Sequence, residues 1–209
     1  MGADVDLCAE CEKDLPFTPC GSLEVVTETG RGKKRKYFTA ACGVFYYKGR
    51  ARQGILALKF HSRFKTAAVF AGYMAGLARN LTIYEGCEII APVPMTRCRE
   101  SERGFNQAEL LAEELGKILC LPVCKNLIIK TRETKKQSRI NGKNKRQENV
   151  DGAYEINLKT NIINKKIMLV DDVITTGSTL NECAKMLITA GAGEVVVLCA
   201  AVSRLKIEI

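Results

Sequence analysis

Residues 167–180 read IMLVDDVITTGSTL, and no other stretch constrains the fold as tightly. A continuous apolar run ends in two aspartates, and a cluster of small hydroxyl residues around Gly177 follows. Short apolar runs bounded by a turn signal read as strands buried on both faces, the kind found in parallel sheets. After the turn, Leu180, Cys183, Ala184, Leu187 and Ile188 fall on one face of a helix over 178–190. The result is a strand–turn–helix unit, and the rest of the chain supplies more of them. Residues 37–49 read as a strand or hairpin, and a helical period runs over 51–81 with Phe70, Tyr73, Met74 and Leu77 on one face. A buried strand at 88–94 leads into an amphipathic helix at 104–119 with Leu111, Leu115, Ile118 and Leu119 inward. Further strands are expected at 126–130, 153–156, 166–170 and 194–204. Alternating strands and helices predict an α/β fold, a parallel sheet flanked by helices.

The chain has 209 residues, 46% of them hydrophobic, which suits one domain with a small appendage. The expected division is a small cysteine-containing and then basic segment at 1–36 and the main domain at 37–209. No apolar run approaches the roughly 20 residues of a membrane span. The first residues, MGADVDLCAECEKDL, have no basic region followed by an apolar core, so they do not read as a signal peptide. The expectation is a cytoplasmic protein whose ten cysteines are reduced and mostly buried, as for Cys183 and Cys199 inside apolar segments. The net charge of +9 is uneven. Residues 31–36, RGKKRK, hold five basic residues, and 125–146 hold nine against one acid, Glu133. Runs of this kind suit phosphorylated ligands or nucleic acid. The long charged stretch at 132–149 shows no periodicity and reads as a loop.

The chemistry concentrates at 170–179. A parallel strand ending at Val170 delivers Asp171 and Asp172 to the carboxyl edge of its sheet, where ligands of open α/β sheets bind. Thr175, Thr176, Gly177, Ser178 and Thr179 form the turn into the helix, where free N–H groups, the helix dipole and hydroxyls converge as an anion site. The carboxylates repel that anion and must face something else nearby: hydroxyls, a metal ion, or both. A ligand with a phosphate at one end and a diol in the middle, such as ribose 5-phosphate, has this layout. Rival phosphate motifs are missing: the chain has neither GxxxxGK[ST] nor a GxGxxG after a strand. The single histidine, His61 in LKFHSRF, reads as structural or solvated rather than catalytic.

LVDDVITTGST resembles the signature by which type I phosphoribosyltransferases bind 5-phosphoribosyl 1-pyrophosphate (PRPP). The wider pattern is similar to the ComF family, a phosphoribosyltransferase-like branch associated with DNA uptake in competent bacteria. The likeness runs over about 37–204 and rests on YKGRARQGILALKF, APVPMTRCRESERGFNQAELLA, KTRETKKQSRINGKNKRQENVDGAYEI and the motif above. It implies that Asp171 and Asp172 hold the ribose hydroxyls, partly through Mg²⁺, and that 175–179 wrap the 5-phosphate. It also implies a pyrophosphate loop at Val93, Pro94, Met95, Thr96 and Arg97. Arg97 is the first choice for the basic contact and Arg99 and Arg103 the next, with an exposed helix-start arginine as the alternative for these two; Asn106 is either a helix cap alone or part of the site as well. The basic loop at 132–146 occupies the place of a loop that closes over the ligand. ComF relatives carry paired CxxC motifs that look like a zinc site. Here only Cys8 and Cys11 form such a pair, Cys20 is a third candidate ligand, and the fourth would have to be Cys42 in a strand. Structural zinc takes four ligands, which leaves a degenerate zinc site at Cys8, Cys11 and Cys20 as the weaker expectation; the metal that the resemblance implies is Mg²⁺. The implied partners are PRPP or a related ribose phosphate, single-stranded DNA along the basic runs, and a competence DNA translocase. The alternative is an ordinary Mg²⁺-dependent phosphoribosyltransferase of nucleotide metabolism, whose acceptor base or amine no residue identifies.

Overall fold

A computed structural model describes residues 12–19, 24–25, 36–61, 64–131, 153–157 and 159–203. Its centre is formed by the two longest described strands, β6 (Lys166–Ile174) and β7 (Glu194–Val202). Their branched and aliphatic side chains are buried on both faces, as a parallel sheet covered by helices requires. Among the described residues the sheet order is β1-β2-β7-β6-β3, with β1 (Glu24–Val25), β2 (Ala40–Tyr46) and β3 (Cys87–Pro92). The last four strands in this order are parallel, and β1 pairs antiparallel at the edge.

The pleat sends alternate residues of each strand into two separate cores. Met168, Val170, Val196 and Leu198 pack with Phe70, Met74, Leu111 and Leu115 on one face. Those partners come from α2 (Phe64–Asn80) and α4 (Gln107–Leu119), with Ile55 and Leu58 added by α1 (Gly49–His61). On the other face Ile167, Leu169, Val195 and Val197 meet Leu180, Cys183, Ala184 and Leu187 of α5 (Ser178–Thr189).

Four elements depart from the sequence reading. The helical period at 51–81 is two helices, α1 and α2, rather than one. The helix expected at 104–119 is preceded by a separate short one, α3 (Arg97–Arg103), which Gly104 ends at φ 81°. That left-handed conformation favours glycine. β4 (Ile128–Lys130) does not join the main sheet; it pairs antiparallel with β5 (Tyr154–Ile156) in a separate ribbon. Finally, β6 runs four residues beyond Val170, because Val173 and Ile174 pair with Ala201 and Val202 of β7.

At the other end of the chain, Phe17 bridges Phe45 of β2, with ring centroids 4.9 Å apart, and Thr18 Oγ1 donates to the Gly43 carbonyl. The described part of residues 1–36 therefore packs on the edge of the main sheet. Cys42 is fully buried in β2, and its thiol donates to the Val197 carbonyl. A thiol so placed is a core group of the sheet. Cys8, Cys11 and Cys20 lie outside the described residues, as does the basic loop at 132–146. No described helix is long and apolar enough to cross a membrane.

Candidate functional site

Topology decides where the cleft opens. The helix after β3, α4, covers one face of the sheet, and the helix after β6, α5, covers the other. β3 and β6 are neighbours, and the helices that follow them leave toward opposite faces, so a crevice forms beyond their carboxyl ends. The register sharpens this. Pro92 pairs with Val170, and the Val93 N–H donates to the Val170 carbonyl at 2.8 Å. Beyond that point β3 turns away while β6 continues against β7. Asp171 and Asp172 thus overhang on the β3 side and project from a strand held firmly on its other edge.

The resulting cleft, of about 230 Å³, is lined by both aspartates and by Val93, Pro94, Met95 and Thr96 of the loop after β3. Arg99 and Arg103 of α3, the start of α4 at Asn106, Gln107 and Ala108, and Lys130 of the ribbon complete it. The lining therefore joins carboxylates to three cations. Arg97 stands apart: it is exposed at the first position of α3 and does not line the cleft. Helical geometry turns Arg99 and Arg103, four residues apart, toward the same side.

Local hydrogen bonds fix this geometry. The Asp172 N–H donates to Asp171 Oδ1 at 2.8 Å, which orients that carboxylate. Asn106 Oδ1 accepts from the Ala108 N–H at 3.1 Å as the cap of α4, and its Nδ2 donates to the Val93 carbonyl at 3.0 Å. One side chain thus ties the helix start to the loop. Gln107 is 2% exposed, and its Oε1 accepts from Arg103 Nη1 at 3.3 Å.

The hydroxyl loop lies just beyond the aspartates and is not part of the cleft lining. Thr175, Thr176 and Thr179 are exposed; Gly177 and Ser178 are half-buried. Gly177 caps α5 at φ 70°, and the Oγ atoms of Thr176 and Ser178 lie 3.0 Å apart. No acidic residue occupies the first turn of α5, so the positive end of its dipole is unopposed there. Tyr154 of β5 is buried and shares a hydrogen bond with Thr179, which ties the ribbon to this loop. Lys130 Nζ stands 5.4 Å from the centre of the Tyr154 ring. Burial holds the Tyr154 hydroxyl well above its ordinary pKa, with the negative charge of Asp171 adding to the effect. Its bond to Thr179 opposes the shift.

Sequence reading missed Lys130 and Gln107 as cleft residues. Gln107 left a signal: it shares the buried stripe of α4 with Leu111 and Leu115, at i, i+4 and i+8. A polar residue in that stripe is out of pattern. Lys130 left none, because its place depends on the ribbon leaving the main sheet.

The parallel sheet, the helices on its two faces and the aspartate pair beside a hydroxyl turn define a type I phosphoribosyltransferase-like protein. Residues 102–206 match the family model described as the phosphoribosyl transferase domain. Competence protein F of Haemophilus influenzae is 30% identical over 208 residues, covering 90% of this chain and 87% of that protein. DNA utilization protein YhgH of Salmonella typhimurium is 33% identical over 200 residues, covering 93% of this chain and 83% of that one. The chain belongs to the ComF family. Among solved structures, glutamine PRPP amidotransferase from B. subtilis, complexed with ADP and GMP, is 19% identical. The match covers 70% of this chain and 30% of that one, with a TM-score of 0.47.

Proposed function

We propose that this protein binds PRPP, or a closely related ribose phosphate, with Mg²⁺ in the cleft beyond β3 and β6, and serves the handling of DNA taken up by the cell. The observation that carries the ligand is the overhang of Asp171 and Asp172 between a cationic cleft and a hydroxyl-lined helix start. The carboxylates suit a vicinal diol, the cations suit a pyrophosphate, and the turn at 175–179 suits the 5-phosphate. The role in DNA uptake is supported by the names of the relatives, a competence protein and a DNA utilization protein.

The donor set fits Mg²⁺. No group of three or more His, Cys, Asp or Glu side chains gathers among the described residues. Mg²⁺ is commonly held by one or two carboxylates together with ligand phosphates and water, and does not need an all-protein cage. Asp171 and Asp172 would hold it, and it would neutralise charge on the pyrophosphate. Arg99, Arg103 and Lys130 bind and orient the anionic end, while Asn106 holds the loop at 93–96 in place.

Among the described residues that line the cleft, Asp171 and Asp172 are the carboxylates that could move a proton to or from an acceptor. Single-stranded DNA would follow the basic runs, working beside a DNA translocase in the cytoplasm.

The test is calorimetric titration of PRPP in Mg²⁺, with Asp171→Asn and Asp172→Asn combined. Wild-type protein is expected to bind and the double variant to lose binding; equal binding by both would reject the site. DNA contact is tested separately over a salt series. For a single strand, log K should fall with log salt at a slope of about −0.7 per phosphate neutralised. No binding at low salt would discard direct DNA contact. Release of pyrophosphate on screening bases and amines would identify an enzyme.

A further inference from the structure

Gln107 poses a problem that the fold does not explain. It is the first residue of α4, it is 2% exposed, and it lines the cleft. Its Nε2 makes no hydrogen bond among the described residues, and it is the one buried side-chain N or O atom there without a partner. Burying an amide without a partner costs stability, and an apolar residue in this stripe would avoid the cost.

Chemistry fixes which end of the amide faces Arg103. Arg103 has only N–H donors to offer, so the amide oxygen must turn toward it, in keeping with the 3.3 Å contact from Arg103 Nη1 to Oε1. The NH₂ group is left as an oriented double donor. Gln107 stands at the positive end of a 13-residue helix and lines a cleft together with Arg99, Arg103 and Lys130. An anion is repelled by Asp171 and Asp172 and drawn to this cationic part. An anionic oxygen of a ligand in the cleft would supply the partner that Nε2 lacks.

We propose that Gln107 is a direct ligand of the pyrophosphate group at C1 of the ribose. In this role it sets the preference for pyrophosphate-bearing ribose phosphates over ribose 5-phosphate, and Arg103 positions its amide. The assignment of the C1 group rests on the ribose-phosphate reading above. The donor role itself rests on Gln107 and its surroundings.

The experiment titrates PRPP, ribose 5-phosphate and inorganic pyrophosphate into the full chain in Mg²⁺, comparing wild type with Gln107→Met and Gln107→Glu. Met keeps the length of the side chain and removes the unpartnered amide. Gln107→Met is expected to bind PRPP and pyrophosphate about ten- to a hundredfold more weakly, the effect of losing a hydrogen bond to a charged group. It should bind ribose 5-phosphate as wild type does and melt no lower. A purely structural glutamine would give the opposite pattern, a lower melting point with unchanged ligand preference, and that result would overturn the proposal. Equal weakening toward PRPP and ribose 5-phosphate would overturn it as well. If the Met variant does not fold, Gln107→Glu decides. Its carboxylate can pair with Arg103, and it should repel pyrophosphate; retained pyrophosphate binding sinks the idea. If wild type bound pyrophosphate through Gln107 but bound neither ribose phosphate, the donor role would stand and the ribose-phosphate reading would fall. If PRPP bound tightly without regard to Gln107, that reading would stand and this one would fall.

Discussion

Asn106 shows how much one amide can decide. It is 8% exposed; its oxygen caps α4, and its nitrogen holds the Val93 carbonyl at the rim of the cleft. Asn106→Ala loses both bonds and is expected to cost about 1–2 kcal/mol by denaturant unfolding, the usual cost of a lost cap. Asn106→Asp separates the two roles. It keeps the cap and adds a favourable charge at the helix start, but it removes the donor and sets a carboxylate against a carbonyl. The Asp variant should be nearer wild type in stability than the Ala variant, yet bind PRPP more weakly than wild type by calorimetry. Wild-type affinity in the Asp variant would show that the tie to Val93 has no bearing on the ligand. Asn106 was legible in the sequence as a cap, because that role is local. Its second bond depends on where β3 ends relative to β6, which no local pattern carries. Arg97 and Arg99 differ for a similar reason. Once α3 begins at Arg97, helical geometry selects Arg99 and Arg103 for the cleft side, and the sequence reading had no helix there.

At the level of elements, the strands and helices that bury a continuous face were legible, and those held by a few pairings were not. β6 and β7 announce themselves through apolar runs, and α5 through its four buried positions. β4 and β5, three residues each, carry no pattern that says which sheet they join. Their ribbon is placed by a bridge from Lys130 to Thr96 and by the bond between Tyr154 and Thr179. Tyr154→Phe keeps the buried ring and removes only that tie. The expected loss of stability is about 1 kcal/mol, the ordinary net contribution of one hydrogen bond. The larger effect should fall on the ligand. Loosening Thr179 loosens the turn that faces the 5-phosphate, so ribose 5-phosphate and PRPP should both bind more weakly, whereas inorganic pyrophosphate should not. Calorimetry with the three ligands reads this pattern, which differs from that expected of Gln107. Unchanged ribose 5-phosphate binding would mean that the ribbon does not support the turn.

The whole molecule keeps its sheet dry, and its thiols report on that. Cys42, Cys87, Cys183 and Cys199 are buried, whereas Cys98 and Cys120 are exposed. Burial raises the Cys42 thiol to about 12 and Cys87 to about 11 from an ordinary 9.0. It raises Cys183 and Cys199 as well, with the charge of Asp171 adding to both. The consequence for stability has a definite sign. Above about pH 9 the unfolded chain ionises these thiols while the native chain keeps them protonated. Each thiol's contribution is therefore complete below pH 9 and is lost as pH rises from there through its folded value. Unfolding free energy should fall across this window, and Cys42→Ala should reduce the slope by up to about 1.4 kcal/mol per pH unit. Denaturant unfolding at several alkaline pH values measures that difference, and the variant serves as its own control for the lysines that titrate in the same range. An identical slope in Cys42→Ala would mean that the Cys42 thiol ionises as freely in the folded chain as in the unfolded one. Alkylation gives an independent reading at neutral pH. Among the described cysteines, Cys98 and Cys120 should be modified first in the native state, and the four buried thiols only as the sheet opens. Reaction of Cys199 at the pace of Cys98 would show that β7 opens locally, in which case Asp171 and Asp172 would lack the fixed strand edge on which the cleft is built.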